Sequence, residues 1–237
     1  MEWAMSYLIL GSGALGSALA RELMARGESF LLAGRTYPKG IEMGAFFPLQ
    51  EVDAISFDAL FTLYDTDPLP TVVINTIGLL LDVSFMPERR VEEVHPKWLC
   101  DSLLANAWPT LALAARFSRL MGHDHPLWLC AISDLAGSIT ANLEGGRYSY
   151  RMSKAALDMG VKTLALEWTQ RFPQAGVVAV APGLMDSPMN TPFLSELPAE
   201  QLQEPAEVAV KLLNLIKGLS LTQSGQLLDL NGQLLPW

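Results

Sequence analysis

Basic residues are scarce in this chain. Its 237 residues include 16 Lys and Arg against 25 Asp and Glu, a formal charge of −9. Binding along a nucleic acid requires clustered bases to neutralise phosphates, so the deficit argues against such a partner. Cysteine is rarer still. Cys100 and Cys130 are too few for a disulfide scaffold, and both lie in apolar stretches, KWLCDSLL and LWLCAIS, that read as buried free thiols. The three histidines, His95, His123 and His125, stand in polar stretches beside Pro, Gly or Asp, without metal-ligand spacing, and read as surface-loop residues. Long apolar runs are absent too. The longest uncharged stretch, Ser102 to Ala115, is shorter than the roughly 20 residues of a membrane span. The N-terminal MEWAMSYLILGSG carries an acid where a signal peptide carries bases. The expectation is a cytoplasmic chain with no membrane partner.

Half of the residues are hydrophobic and 17% are charged, which excludes disorder. A chain of this mass can bury roughly 70% of its surface, enough for one complete core. Apolar runs at 6–11, 29–34, 53–57, 70–76, 127–133, 177–182 and 226–230 read as strands. Helix-forming stretches at 14–26, 58–64, 98–121, 148–172 and 206–217 lie between them. This alternation predicts an α/β fold: a doubly wound parallel sheet of about seven strands, helices on both faces, in one Rossmann-type domain over residues 1–237. Ligands of such sheets bind at the carboxyl ends of the strands.

Gly11-Ser12-Gly13-Ala14-Leu15-Gly16 fits G-x-G-x-x-G. The bare pattern is weak, but here it follows the first strand and opens the first helix, where glycines let backbone approach a pyrophosphate. The second strand ends in Ala33-Gly34-Arg35-Thr36. An acid there would bind the ribose of NAD; Arg35 instead suits a 2′-phosphate, which favours NADP(H). The fifth strand ends in Ser133-Asp134, and the next helix carries Tyr150 and Lys154, four apart on one face. A free tyrosine titrates near 10, and a neighbouring ammonium would lower it toward neutrality for acid–base work.

With these residues assembled, the chain resembles the short-chain dehydrogenase/reductases over nearly its full length. The resemblance rests on residues 11–16, Asp58, Asn75-Thr76-Ile77-Gly78, Asn106, Ser133, Tyr150-x-x-x-Lys154 and Pro182-Gly183. The segments GSI (137–139), GGRYSYRMSKAAL (145–157) and NGQLLPW (231–237) look like carbonyl-reductase-like and C-factor-like members. The resemblance implies reduction of a ketone or aldehyde, or the reverse reaction on an alcohol. Tyr150 would be the general acid. Lys154 would hold the ribose and depress the tyrosine, and Asn106 would support a proton relay. Asp58 would sit near the adenine, with Asn75, Thr76 and Gly78 beside the cofactor. Pro182-Gly183 would flank the nicotinamide and Ser187 would reach its carboxamide. Residues 184–205 would form a substrate lid, its Leu184, Met185, Met189, Phe193 and Leu194 suggesting an apolar pocket. Helices 98–121 and 148–172 would pair in a homodimer or homotetramer.

The sequence departs from the family in three places. The glycine turn is one residue short, with Leu10 where Thr is usual. NTIG stands where NNAG is common. The usual catalytic serine position, three before Gly137, holds Asp134. A carboxylate there would repel a developing alkoxide. Ser133, by a strand-end shift, is the favoured replacement, and Ser138 the next. The remaining reading is a nucleotide-binding signalling or regulatory protein with weak or no catalysis.

Overall fold

The computed structural model describes residues 5–42, 45–50, 53–82, 85–191 and 202–237. Among these residues seven strands and six α-helices follow one another: β1 (Ser6–Leu10), α1 (Ala14–Ala25), β2 (Ser29–Gly34), β3 (Phe46–Pro48), α2 (Ala54–Phe61), β4 (Val72–Asn75), α3 (Pro96–Asn106), α4 (Trp108–Leu120), β5 (Leu127–Ile132), α5 (Tyr148–Arg171), β6 (Ala175–Val180), α6 (Pro205–Lys217) and β7 (Leu227–Leu228). All pair in parallel in one sheet, in the order β3-β2-β1-β4-β5-β6-β7. The direction of winding reverses between β1 and β4. Their carboxyl ends therefore open a crevice at the switch point.

Successive side chains of a strand point to opposite faces, and here both faces are covered. Leu8 and Leu10 join Val73, Leu129 and Val177 in a core roofed by Phe117 of α4 and Leu157 and Trp168 of α5. Tyr7 and Ile9 join Ile74, Cys130 and Val178 in a second core, closed by Leu19 and Leu23 of α1 and Leu212 and Leu213 of α6. That explains why the strands read as unbroken apolar runs. Among the described residues no helix is long and apolar enough to cross a membrane.

Residues 53–57, expected as the third strand, are the cap and first turn of α2. Asp53 is extended, and its carboxylate accepts the Ser56 N–H at 2.7 Å, capping the helix. The strand is instead the three-residue Phe46–Pro48, at the sheet edge where a proline is tolerated. The helix expected at 98–121 is two helices meeting at Ala107, because Pro109 lies in the first turn of α4, where its missing N–H costs nothing. Cys100, expected to be buried, is exposed; Cys130 is buried. Leu104 of α3, Leu111 of α4 and Met152, Met159 and Leu166 of α5 present apolar side chains to solvent. The three on α5 recur every seven residues, so they share one face.

The turn into α1 is tightly packed at one glycine and open at another. A Cβ on Gly16 would lie 1.8 Å from the Gly11 carbonyl oxygen, whereas one on Gly13 would meet nothing within 4 Å. Gly16→Ala should destabilise the fold by on the order of 1–3 kcal/mol in thermal unfolding. Gly13→Ala should stay within about 0.5 kcal/mol of the parent. Equal losses would contradict this packing.

Candidate active site

At the switch point the chain leaves β1 through Gly11, whose φ of +105° suits glycine alone. A Cβ there would also meet the Thr76 hydroxyl at 2.5 Å. That hydroxyl donates to the Leu10 and Gly11 carbonyls at 3.0 and 3.1 Å, tying the ends of β1 and β4 together. Ser12 packs on Gly34, where a Cβ would lie 2.4 Å from the Ser12 hydroxyl. The same hydroxyl accepts the Thr36 N–H at 3.1 Å, which fastens the end of β2 to the turn. No side chain caps the N-terminus of α1, and its first turn holds no acid. Its free N–H groups, with open space at Gly13, fit a phosphate of a dinucleotide. Arg35 is exposed directly after β2.

Asp58 is not at a strand end. It lies within α2 and pairs with Arg116 of α4, so the helix that replaces the expected strand turns it toward a neighbouring helix rather than the crevice. Leu49, which is buried, follows β3 instead. Asn75 does close its strand: it donates to the Thr110 hydroxyl at 2.8 Å and accepts the Ile77 N–H at 3.1 Å. Beyond it, the absent side chain of Gly78 leaves room beside the Asn106 oxygen, Met189 and Lys154 Nζ.

On the far side of β6, Gly183 has φ of +79°. Pro182 accepts from the Gln203 amide at 2.8 Å, and Gln203 also pairs through its backbone with Leu184 and Asp186. Ser187 begins a turn, its carbonyl accepting from Asn190 and Thr191. Of the expected lid, Pro192, Phe193, Leu194 and Pro198 lie outside the described residues. Met189 packs against Leu80, Ala136 and Tyr150.

The start of α5 sets the position of the tyrosine. Gly145, Gly146 and Arg147 follow one another at φ of +70°, +63° and +51°. Arg147 is thus a left-handed non-glycine residue, a conformation that costs roughly 1–2 kcal/mol. Glu88, 2% exposed, accepts from the Ser149 backbone N–H at 3.2 and 3.3 Å and from its hydroxyl. A carboxylate from a distant loop therefore serves the helix end that has none of its own. Asn106 works similarly one turn on. Its amide accepts from Leu79 N–H and donates to the Leu79 carbonyl and to Ser153, which in turn donates to the Tyr150 carbonyl. Asn106 thereby locks the loop after β4 to α5.

Around Tyr150 the side chains differ from expectation in one decisive contact. Its hydroxyl donates to Asp134 Oδ2 at 2.8 Å, while Oδ1 of that carboxylate accepts the Ala136 N–H at 2.8 Å. Ser133, the expected replacement for the missing serine, points elsewhere. It is buried and donates to Asp158 Oδ1 at 2.6 Å. No strand-end shift occurs: Ser133 N–H pairs with the Val180 carbonyl, so alternation turns adjacent Asp134 toward the tyrosine and Ser133 away from it. Ser138, the other candidate, accepts the Ala141 N–H at 3.0 Å.

Lys154 donates to the Ile132 carbonyl at 2.9 Å and lies 5.6 Å from the centre of the Tyr150 ring. The expected depression of the tyrosine is not met. Burial first, then the charge and hydrogen bond of Asp134, hold the Tyr150 hydroxyl well above its ordinary value, and Arg147 only partly opposes them. Burial lowers the Lys154 ammonium, against the pull of Asp134 and Asp158.

No protein-family model matches the chain. It is 35% identical over 108 residues to C-signal of Myxococcus xanthus, a match spanning 45% of this chain and 58% of that protein. It is 25% identical over 214 residues to 1-hydroxy-2-glutathionyl-2-methyl-3-butene dehydrogenase of Rhodococcus sp. (strain AD45), covering 87% of this chain and 74% of the relative. Among solved structures, the NADPH-bound carbonyl reductase from chicken fatty liver superposes with a TM-score of 0.79 at 20% identity, over 99% of this chain and all of that one.

Asp158 extends the i, i+4 spacing of Tyr150 and Lys154 by one more turn, a signal present in the sequence itself. Its Oδ2 is buried without a hydrogen-bond partner among the described residues. Burial pushes the carboxyl up from 3.8 to about 6, despite Ser133 and Lys154. An acid raised in the folded state costs stability above its folded pKa, and the cost disappears below the unfolded value. Asp158→Asn should therefore match the parent near pH 4 and gain through pH 6, approaching about 3 kcal/mol at most. Denaturant unfolding at several pH values checks this; a gain independent of pH would contradict it.

Proposed function

We propose that this chain, which has the fold of the short-chain dehydrogenase/reductases, is an oxidoreductase of that family. It would move hydride between NADP(H) and a polar double bond of a small molecule. The observation that carries this reading is the convergence of Tyr150, Lys154 and Asn106 on the glycine-lined switch point. The carbonyl–alcohol couple is the chemistry in the name of the chicken protein it resembles in fold. When bound, the nicotinamide supplies or takes up hydride. The N-terminus of α1, with Gly11, Ser12, Gly13, Ala14, Leu15 and Gly16, would hold its pyrophosphate, and Arg35 a 2′-phosphate. Lys154 would hold ribose hydroxyls, beside Asn75, Thr76 and Gly78. Pro182, Gly183 and Ser187 would border the nicotinamide end, and Met189 the substrate. Asp58, within α2 and paired with Arg116, would not contact the cofactor.

For a carbonyl substrate, Tyr150 would give its proton to the oxygen, as its buried position beside the crevice allows. Asn106 would act by holding residues 78–79 and α5 in register. The bond from Tyr150 to Asp134 and the similarity to C-signal favour a second reading, a dinucleotide-binding regulatory protein with little turnover.

NADPH titration by nicotinamide fluorescence, followed by turnover on a panel of carbonyl and imine compounds, separates the two. Tight binding with no turnover on any compound supports the regulatory reading. Tyr150→Phe should keep NADPH binding but cut carbonyl turnover at least about 100-fold. Carbonyl turnover unchanged in that variant would refute the acid role. Arg35→Ala should weaken NADPH by about tenfold or more and NADH hardly at all, the value of a charge-assisted bond to phosphate. Equal effects on both cofactors would sink the 2′-phosphate assignment.

A further inference from the structure

We propose that Asp134 contacts the substrate and selects a carbon–nitrogen double bond, carried as an iminium, over a ketone or aldehyde. This rests on the reductase reading and narrows its substrate class. Both oxygens of Asp134 accept hydrogen bonds, one from Tyr150 and one from Ala136 N–H, the pattern of an ionised carboxylate. Such a group has about four acceptor sites, so room remains for a donor from the substrate. It cannot itself donate to a carbonyl oxygen, and the Ser133 hydroxyl is committed to Asp158.

Charge decides between the two chemistries. A carbonyl reduced beside Asp134 develops an alkoxide next to a carboxylate. Once Tyr150 has surrendered its proton, a phenolate stands against that same carboxylate, with Leu80, Ala136 and Met189 packed beside the tyrosine. An iminium reverses the sign. It brings a positive charge and an N–H that Asp134 can accept. The carbon of C=N⁺–H takes up the hydride supplied by the reduced nicotinamide. The π pair becomes the nitrogen lone pair, and the product is a neutral secondary amine. No proton is drawn from Tyr150, whose hydroxyl keeps its bond to Asp134 throughout.

The test pairs binding with turnover. The NADP⁺-loaded protein is titrated with cyclic amines and with alcohols of the same ring size: pyrrolidine with cyclopentanol, piperidine with cyclohexanol, tetrahydroisoquinoline with tetralol. At neutral pH each amine is the cation. At least one should bind about tenfold or more tighter than its alcohol, and the matching imine should be reduced faster than the matching ketone. Asp134→Asn keeps the shape without the charge, and Asp134→Ser retains a capping oxygen for the Ala136 N–H. Both should abolish the amine preference, and the serine variant should shift turnover toward ketones. No amine preference in any pair, or a preference unchanged in both variants, overturns the assignment alone. Failure to bind NADP⁺ or NADPH overturns the reductase reading and the assignment with it.

Discussion

The hydrogen bond from Tyr150 to Asp134 constrains every chemical use of this crevice, because it joins the tyrosine hydroxyl to a carboxylate. Two like charges about 4 Å apart repel by about 4 kcal/mol at an effective dielectric near 20. Forming a phenolate at Tyr150 meets that repulsion on top of its own desolvation. The Lys154 ammonium donates to the Ile132 carbonyl and lies 5.6 Å from the centre of the Tyr150 ring, whereas Asp134 is in direct hydrogen-bond contact with the hydroxyl. The site therefore favours steps that leave the tyrosine protonated or bring in positive charge.

The rest of the fold holds this pair in place. Asp134 leaves the sheet directly after β5, at a depth set by the pairing of Ser133 with Val180. Tyr150 sits in the first turn of α5, whose start is fixed by three left-handed residues and by the buried Glu88. Asn106 and Ser153 bind that helix to the loop after β4, and Thr76 binds that loop to the glycine turn after β1. The acidic balance of the chain does not oppose a polyanionic cofactor here. The local field comes from the backbone N–H groups of α1 and from Lys154, whose ammonium lies beside Gly78, and not from the net charge.

Much of this was legible in the residues. Unbroken apolar runs identified strands buried on both faces, and the glycines marked the turn at the switch point. Where reading failed, a local signal was outweighed by a tertiary one. DAISF has the look of a strand, but the Asp53 cap makes it a helix, and Asp58 moves with it. The count back from Gly137 did find Asp134 at the usual serine position. The preference for Ser133 assumed a strand shift that the β5–β6 pairing does not permit. Glu88 and Ser149 meet across 61 residues of sequence, and no local pattern announces such a contact. Asp158 was visible as the next turn of the Tyr150 and Lys154 stripe, but only burial gives it meaning.

The state of the tyrosine proton tests this account most directly, because it needs neither substrate nor turnover. The Cζ resonance of isotope-labelled Tyr150, followed against pH in the parent protein and in Asp134→Asn, reports it. The account requires Tyr150 to stay protonated beyond the ordinary tyrosine range in the parent and to titrate at lower pH once the charge at Asp134 is removed. A parent tyrosine that ionises near neutral pH, or one indifferent to Asp134, would contradict it.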